Sequence, residues 1–95
     1  MVEVNSMWIG YSLTTLENVC LASHITQGHK VNLWCYEPVK NVPLGVELKD
    51  GREILSEGEI FSYQTGEGRG SYSAFSNFFR YKLLLERGGW WIDAD

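Results

Sequence analysis

One segment of the sequence, residues 31–36, constrains the fold most, because its apolar side chains fall on both of its alternating faces. In a strand, Val31 and Leu33 would point to one side, while Trp34 and Tyr36 would point to the other. A strand that is apolar on both faces belongs in the interior of a sheet that is covered on both sides. We therefore expect other elements of the chain to cover this strand from both directions.

Strands and helices alternate along the rest of the chain, and its 95 residues allow one domain. Hydrophobic periodicity predicts, in order, a strand over 2–10, a helix over 15–27, the strand over 31–36, a helix over 71–87 and a strand over 90–92. This alternation indicates an α/β fold with a mainly parallel sheet. If the last strand lies on the opposite side of the first strand from the middle strands, the strand order reverses there. Ligands bind at such a reversal, beyond the carboxyl ends of the strands.

Both predicted helices carry further signals. Thr14 and Glu17 have the spacing of a capping box at the start of the first helix. In the second helix, Phe75, Phe79 and Leu83 recur every four residues and predict a buried stripe. We expect Phe78, Tyr81 and Leu85 to extend that apolar surface, and we assign Trp34, Phe79 and Trp90 to the core.

The middle of the chain is rich in turn residues. Asp50-Gly51 predicts a two-residue hairpin turn between residues 46–49 and 52–55. The second arm also fits a short third parallel strand, so both interpretations stay open. Four glycines and the absence of a period over residues 56–70 predict a mobile loop.

The charge balance excludes several classes of protein. Eight basic against twelve acidic residues give a net charge of −4, whereas binding to nucleic acid or to anionic membranes needs a basic surface. No apolar run approaches the roughly 18 residues of a membrane span, and the amino-terminal residues lack the pattern of a signal peptide. We therefore expect a cytoplasmic protein in which Cys20 and Cys35 are free thiols. Their spacing with His24 and His29 fits no common zinc site.

Candidate site residues gather at the predicted carboxyl ends of two strands. Trp8 lies near the end of the first strand, and Asp93 and Asp95 follow the last one. Two carboxylates one residue apart can turn toward one divalent cation, and Mg²⁺ or Mn²⁺ favours such oxygen ligands, which it shares with substrate phosphates. The planar ring of Trp8 can stack on a base or a sugar. The alternatives are a polar chain end for the aspartates and core packing for Trp8.

Two polar residues of the second helix form another candidate pair. Asn77 and Arg80 lie one helical turn apart. A guanidinium and an amide on one stripe can hold a phosphate or sugar hydroxyls together. The alternative is an ordinary solvated face of the helix.

Four segments of the chain resemble one known family. They are Trp8-Ile9-Gly10, the run from Gly28 to Tyr36, the run from Ser73 to Tyr81, and Gly88-Gly89 followed by Trp91 and Asp93-Ala94-Asp95. Over nearly the whole chain, these motifs resemble the N-terminal half of the glycosyltransferases with a DXD-containing sugar-binding region. That family includes capsular-polysaccharide transferases and fungal α-mannosyltransferases. The resemblance implies a partial GT-A fold, in which residues 1–95 form a donor-binding half that stops at the DXD motif.

The resemblance also implies a role for each candidate residue. Asp93 would contact the ribose or sugar of a nucleotide-sugar donor, and Asp95 would ligate Mn²⁺ or Mg²⁺ on the diphosphate. Asn77 stands where relatives usually carry Asp, so it keeps a hydrogen bond and loses a charge. Of the other residues, Trp8 would stack near the nucleobase, Arg80 would approach the phosphates or sugar, and Trp91 would pack beside the donor.

The function that these motifs imply is the metal-dependent, retaining transfer of a sugar from a nucleotide-sugar donor to a glycan or other acceptor, as in polysaccharide biosynthesis. Because the acceptor site of the family follows the DXD motif, we expect no turnover from these residues alone. A different class of function stays open. The chain would then be a noncatalytic nucleotide-binding module, or a truncated remnant that self-associates through an exposed sheet edge.

Overall fold

A computed structural model describes residues 2–56 and 73–93 of the chain. The mobile loop predicted over residues 56–70 falls almost entirely outside this part, as does the predicted helix start at residue 71. No helix of the described residues is long and apolar enough to cross a membrane. The elements are β1 (Glu3–Trp8), α1 (Thr15–Thr26), β2 (Lys30–Cys35), β3 (Glu47–Asp50), a 3₁₀ helix (Gly51–Glu53), α2 (Ser73–Arg87) and β4 (Trp90–Trp91).

The strands within these ranges form one sheet in the order β3-β2-β1-β4. Every neighbouring pair is parallel. The order therefore reverses beside β1, and the predicted α/β fold with a parallel sheet flanked by helices is confirmed.

Each face of the sheet carries its own apolar cluster, as the two-sided pattern of β2 predicts. Val31 and Leu33 of β2 point to the α1 side, whereas Trp34 points to the α2 side. The α1-side cluster consists of Leu13, Leu21, Val31, Leu33, Cys35 and Val39. The α2-side cluster consists of Met7, Trp34, Tyr36, Ile54, Leu55, Phe75, Phe79 and Leu83.

The first helix begins where the sequence predicts, but without the predicted capping box. Thr14 is the N-cap residue in an extended conformation, and its hydroxyl makes no capping hydrogen bond. Glu17 is buried instead, together with Leu21. Glu17 is buried rather than used as a cap because it lies, with Leu21, on the face of α1 that meets the sheet. Leu16 and Val19 lie on the exposed face.

The predicted hairpin at Asp50-Gly51 is wrong. Residues Glu47–Asp50 pair in parallel with β2, so the first predicted arm, and not the second, is the third parallel strand. The Asp50 carboxylate then accepts from the backbone N–H of Arg52 at 2.9 Å and starts the 3₁₀ helix. Gly51 is needed for packing, because a Cβ there would lie 2.6 Å from Cε2 of Tyr36.

The second helix buries the predicted stripe and leaves the rest of its apolar surface exposed. Phe75, Phe79 and Leu83 are fully buried. Phe78, Tyr81 and Leu85, which we expected to extend that surface, are exposed because they lie on a neighbouring stripe of the helix. Trp90 is also 65% exposed, which corrects its assignment to the core. It starts a strand of two residues at the edge of the sheet.

A buried amide joins three strands. The side chain of Asn5, on β1, is 2% exposed, and its Oδ1 accepts from Nδ2 of Asn32 at 3.1 Å and from Nε1 of Trp34 at 3.0 Å. Its Nδ2 donates to the carbonyl of Trp90 at 3.3 Å. The backbone carbonyl of Asn5 also accepts from the N–H of Ile92 at 2.9 Å. Asn5 thus holds β2, β1 and β4 together.

We predict that Asn5→Ala lowers the free energy of unfolding by about 3 kcal/mol, because two buried donors lose their acceptor. Equilibrium denaturation with urea measures this change. The control is Asn77→Ala on the exposed face of α2, which we expect to alter stability by no more than about 0.5 kcal/mol. A loss below about 1 kcal/mol for Asn5→Ala would contradict the role of this amide.

Candidate functional site

The candidate site lies where the carboxyl ends of β1 and β4 meet. Val4 pairs with Trp90 and Asn5 pairs with Trp91, so both strands run toward the same edge of the sheet. Asp93 follows β4 at this edge, which is also where β1 ends. The strand order reverses next to β1, and open α/β sheets bind ligands beyond the carboxyl ends of the strands at such a reversal.

Asp93 is an exposed carboxylate with a fixed orientation. Its Oδ1 accepts from Nε1 of Trp91 at 3.1 Å. The indole of Trp91 is itself anchored, because its ring packs against Phe79 with centroids 6.3 Å apart. The backbone carbonyl of Asp93 accepts from Sγ of Cys20 at 3.6 Å. The sheet, α1 and α2 thus all determine where this carboxylate lies.

Trp8 is half-buried on the α1 side of the sheet. It packs against the α1-side cluster, and its Nε1 donates to the carbonyl of Ser12 at 3.0 Å. Trp91 packs against the α2-side cluster. The structure therefore does not bring these two predicted aromatic residues together, because they lie on opposite faces of the sheet.

The remaining predicted residues are more dispersed. Asn77 is exposed on α2, and Arg80 is half-buried. The guanidinium carbon of Arg80 lies 4.9 Å from the ring centroid of Tyr81. Asp95 lies outside the described residues, and within them no group of three or more His, Cys, Asp or Glu side chains is arranged to hold a metal ion. The metal site over Asp93 and Asp95 stays a prediction.

Glu37 is a residue of this edge that the sequence analysis missed. Its Oε1 accepts from the backbone N–H of Gly10 at 3.0 Å and so ties the ends of β1 and β2 together. Gly10 has a φ of 142°, which favours glycine. The position of Glu37 directly after a buried strand is the signal that identifies it, by the same reasoning that identified Asp93.

Glu17 is a second missed residue. It lies in the first turn of α1 and is 7% exposed. Its Oε2 is buried and has no hydrogen-bond partner in the described part of the chain. The sequence analysis assigned this carboxylate to capping, and only the packing of α1 on the sheet reveals that it is buried.

A cleft of about 350 Å³ lies at the carboxyl ends of β2 and β3. Its two cations are both paired, since Nζ of Lys49 lies 3.1 Å from Glu47 and Nη1 of Arg52 lies 3.1 Å from Asp50. An anionic ligand would compete with these carboxylates. This competition weakens the cleft as a candidate phosphate site.

Comparison of the chain with protein-family models, with curated proteins and with solved structures found no match. Membership of the glycosyltransferase family stays a prediction from the motifs. The chemistry of the residues at the carboxyl ends of β1 and β4 is the basis for a function.

The two cysteines, both free thiols, should differ in reactivity. Burial, with smaller effects from Asp50 and Glu37, raises the pKa of the Cys35 thiol above its ordinary value of about 9. Cys20 is half-buried and next to the Asp93 carbonyl. Because only the thiolate reacts, we predict that a thiol reagent labels Cys20 first at pH 8 in the native protein. Cys35 should react only at higher pH or after unfolding.

The same pKa shift makes stability depend on pH. The unfolded chain releases the Cys35 proton at lower pH than the folded chain does, so the free energy of unfolding should fall as pH rises through and beyond about 9.

The labelling prediction is tested by mass spectrometry of the Cys20→Ser and Cys35→Ser variants, which assigns the labelled cysteine. Equal labelling rates at pH 8 would contradict the protection of Cys35.

Proposed function

We propose that this chain forms the donor-binding part of a nucleotide-sugar-dependent, metal-dependent retaining glycosyltransferase. The observation that carries the proposal is the oriented carboxylate of Asp93 beyond β4, at the point where the strand order reverses. Open α/β sheets bind nucleotides at such points. Two of the segments that resemble the glycosyltransferase family, Trp8-Ile9-Gly10 and the segment with Trp91 and Asp93, lie at the carboxyl ends of β1 and β4 and add support.

Asp93 fits a divalent cation by its chemistry. An exposed carboxylate is the hard oxygen ligand that Mg²⁺ and Mn²⁺ prefer. The hydrogen bond from Trp91 occupies Oδ1 and restricts the rotation of the carboxylate. In our proposal, Asp93 and Asp95 hold the cation together with phosphate oxygens of the donor. When bound, the ion neutralises the charge that develops on the departing diphosphate.

Other residues of the chain would bind and orient the donor. Trp8 is held at the end of β1 by its bond to Ser12, and its half-exposed ring offers a surface on which a base can stack. Arg80 would supply a positive charge to the phosphates or sugar, and Asn77 a hydrogen bond to a hydroxyl. Together these residues would bind the nucleotide and the sugar of the donor.

We predict that Mn²⁺ binds weakly to the protein alone, with a Kd around 1 mM or about −4 kcal/mol, and more tightly with a nucleoside diphosphate. The metal should tighten diphosphate binding by the same factor, because the two binding equilibria are linked. In NMR spectra, paramagnetic Mn²⁺ should first broaden the amide signals of Trp8, Gly10, Trp91 and Asp93.

The variant that tests this site is Asp93→Asn with Asp95→Asn. It should lose the broadening pattern and the coupling between metal and diphosphate. Glu3→Gln is the matched control, because it removes a carboxylate at the start of β1, at the opposite edge of the sheet. Broadening that centres on Glu47 or Glu53, or that persists in the double variant, would overturn the assignment.

A further inference from the structure

The outer edge of β4 is an open edge of the sheet. Among the described residues, β4 has a neighbour on one side only, which is β1. The carbonyl of Asn5 accepts from the N–H of Ile92, and the backbone polar groups of successive residues in a strand alternate in direction. The N–H and C=O groups of Trp91 therefore point away from β1, where they have no partner in the described part of the chain. An edge of this kind is a template for another strand.

The opposite edge of the sheet, β3, is protected against such pairing. Three of its four residues are charged. Glu47 of this strand lies 3.1 Å from Lys49 and 3.8 Å from Lys30. Charged side chains on an edge strand hinder its pairing with another chain. β4 consists of two tryptophans and carries no charge, so it is the edge that is open to a further strand.

An exposed apolar stripe of α2 lies on the same side of the molecule as the open edge. Phe78, Tyr81 and Leu85 are 57%, 67% and 89% exposed, and their spacing of three and four residues places them on one side of the helix. The opposite flank of α2 carries Arg87, which lies 3.2 Å from Glu53 beyond the end of β3. Because α2 packs on the sheet between these two flanks, the apolar stripe faces the β4 edge.

Trp90 adds exposed apolar area on the other face of the sheet. Trp91 packs on the α2 side, so Trp90, the preceding residue of the strand, points to the α1 side, where it is 65% exposed. At about 200 Å² for each aromatic side chain, Trp90 and the α2 stripe together expose roughly 500 Å². Patches of this size on a monomer mark interaction sites. Two copies would bury about 1,000 Å², which is the lower limit for a specific interface.

We infer that the β4 edge is an interface between two copies of this chain. A two-fold axis beside Trp91, perpendicular to the sheet, pairs β4 with the β4 of the second copy in an antiparallel ladder. The two Trp91 residues then exchange both of their outward backbone hydrogen bonds. The interface is isologous, because the same patch is used on both copies. The two sheets join into one continuous sheet of eight strands, four from each copy.

A second copy is the occupant that this edge fits, because one axis satisfies all of its unpartnered groups. An axis perpendicular to the sheet keeps corresponding faces on the same side. The two α2 stripes therefore meet on one face, and the two Trp90 rings approach each other on the other face. The inference does not depend on the proposed function, since antiparallel pairing places the Asp93 of each copy at opposite ends of the paired strands.

The molar mass in solution tests the interface. Because the buried area is at the lower limit, sedimentation equilibrium of the wild type should show a shift from monomer to dimer between about 10 and 500 μM. Leu85→Lys should raise the Kd of the dimer by at least about tenfold, because it places a charge in the buried stripe. Leu44→Lys is the matched control and should change the Kd by less than about twofold. Leu44 is 97% exposed in the connection that leads to the opposite edge.

Amide hydrogen exchange measured by NMR at both ends of this concentration range locates the contact. The Trp91 amide should exchange at least about tenfold more slowly at the high concentration, because its N–H then has a partner. The Ile92 amide is already bonded to Asn5 and should change much less. A monomer at every concentration, equal effects of the two Lys variants, or a dimer without Trp91 protection would overturn the inference. So would assembly that continues beyond the dimer, because an isologous interface closes at two copies.

Discussion

The burial of β2 on both faces is the constraint on which the rest of the structure depends. A strand with Trp34 and Tyr36 on one face and Leu33 on the other is stable only when two layers exclude water from it. Each fully buried side chain of this size contributes roughly 1.5–3 kcal/mol. The face of β2 that carries the two aromatic side chains is the harder of the two to cover. Phe79 covers it, since its ring centroid lies 6.1 Å from that of Trp34 and 6.4 Å from that of Tyr36.

The position of Asp93 depends on this core indirectly. β4 is only two residues long, so its ladder with β1 supplies few hydrogen bonds. The side chain of Asn5 adds a contact to the carbonyl of Trp90. Gly89, with a φ of 92°, allows the close approach, because a Cβ there would lie 3.0 Å from Nδ2 of Asn5. The side chain of Asn5, at the centre of the sheet, therefore holds β4 in place, and β4 positions Asp93, the candidate metal ligand.

The spacing of the apolar residues predicts much of this fold, because the period at which they recur indicates which side of a helix or strand is buried. The spacing of Phe75, Phe79 and Leu83 identified the buried side of α2, and the pattern of β2 predicted layers on both sides. The error at Asp50-Gly51 has a different origin. The same two residues suit a hairpin turn and a side-chain cap, and the choice is decided by the ring of Tyr36, which packs on Gly51. A contact between residues distant in sequence is not visible in a local pattern.

The same limit applies to the candidate site. Trp8 and Asp93 could be identified because each lies near a strand end in the sequence, and parallel strands end at one edge. The bond between Cys20 and Asp93 depends on how α1 lies across the sheet. The bond between Gly10 and Glu37 depends on the register of β1 with β2. No spacing within either segment encodes these two contacts, so the sequence alone could not predict them.

Two sets of buried polar groups in this fold differ in how far hydrogen bonds satisfy them. At the centre of the sheet, Asn5 uses both ends of its amide, and Nδ2 of its neighbour Asn32 donates to it. The Oδ1 of Asn32 lacks a hydrogen-bond partner among the described residues, but it belongs to a neutral amide. In the first turn of α1, Oε2 of Glu17 also lacks a partner among the described residues, and burial of a carboxylate oxygen costs more than burial of an amide oxygen. Glutamine would relieve that cost with almost no change in shape. The stability of the folded chain therefore does not explain a carboxylate at this position.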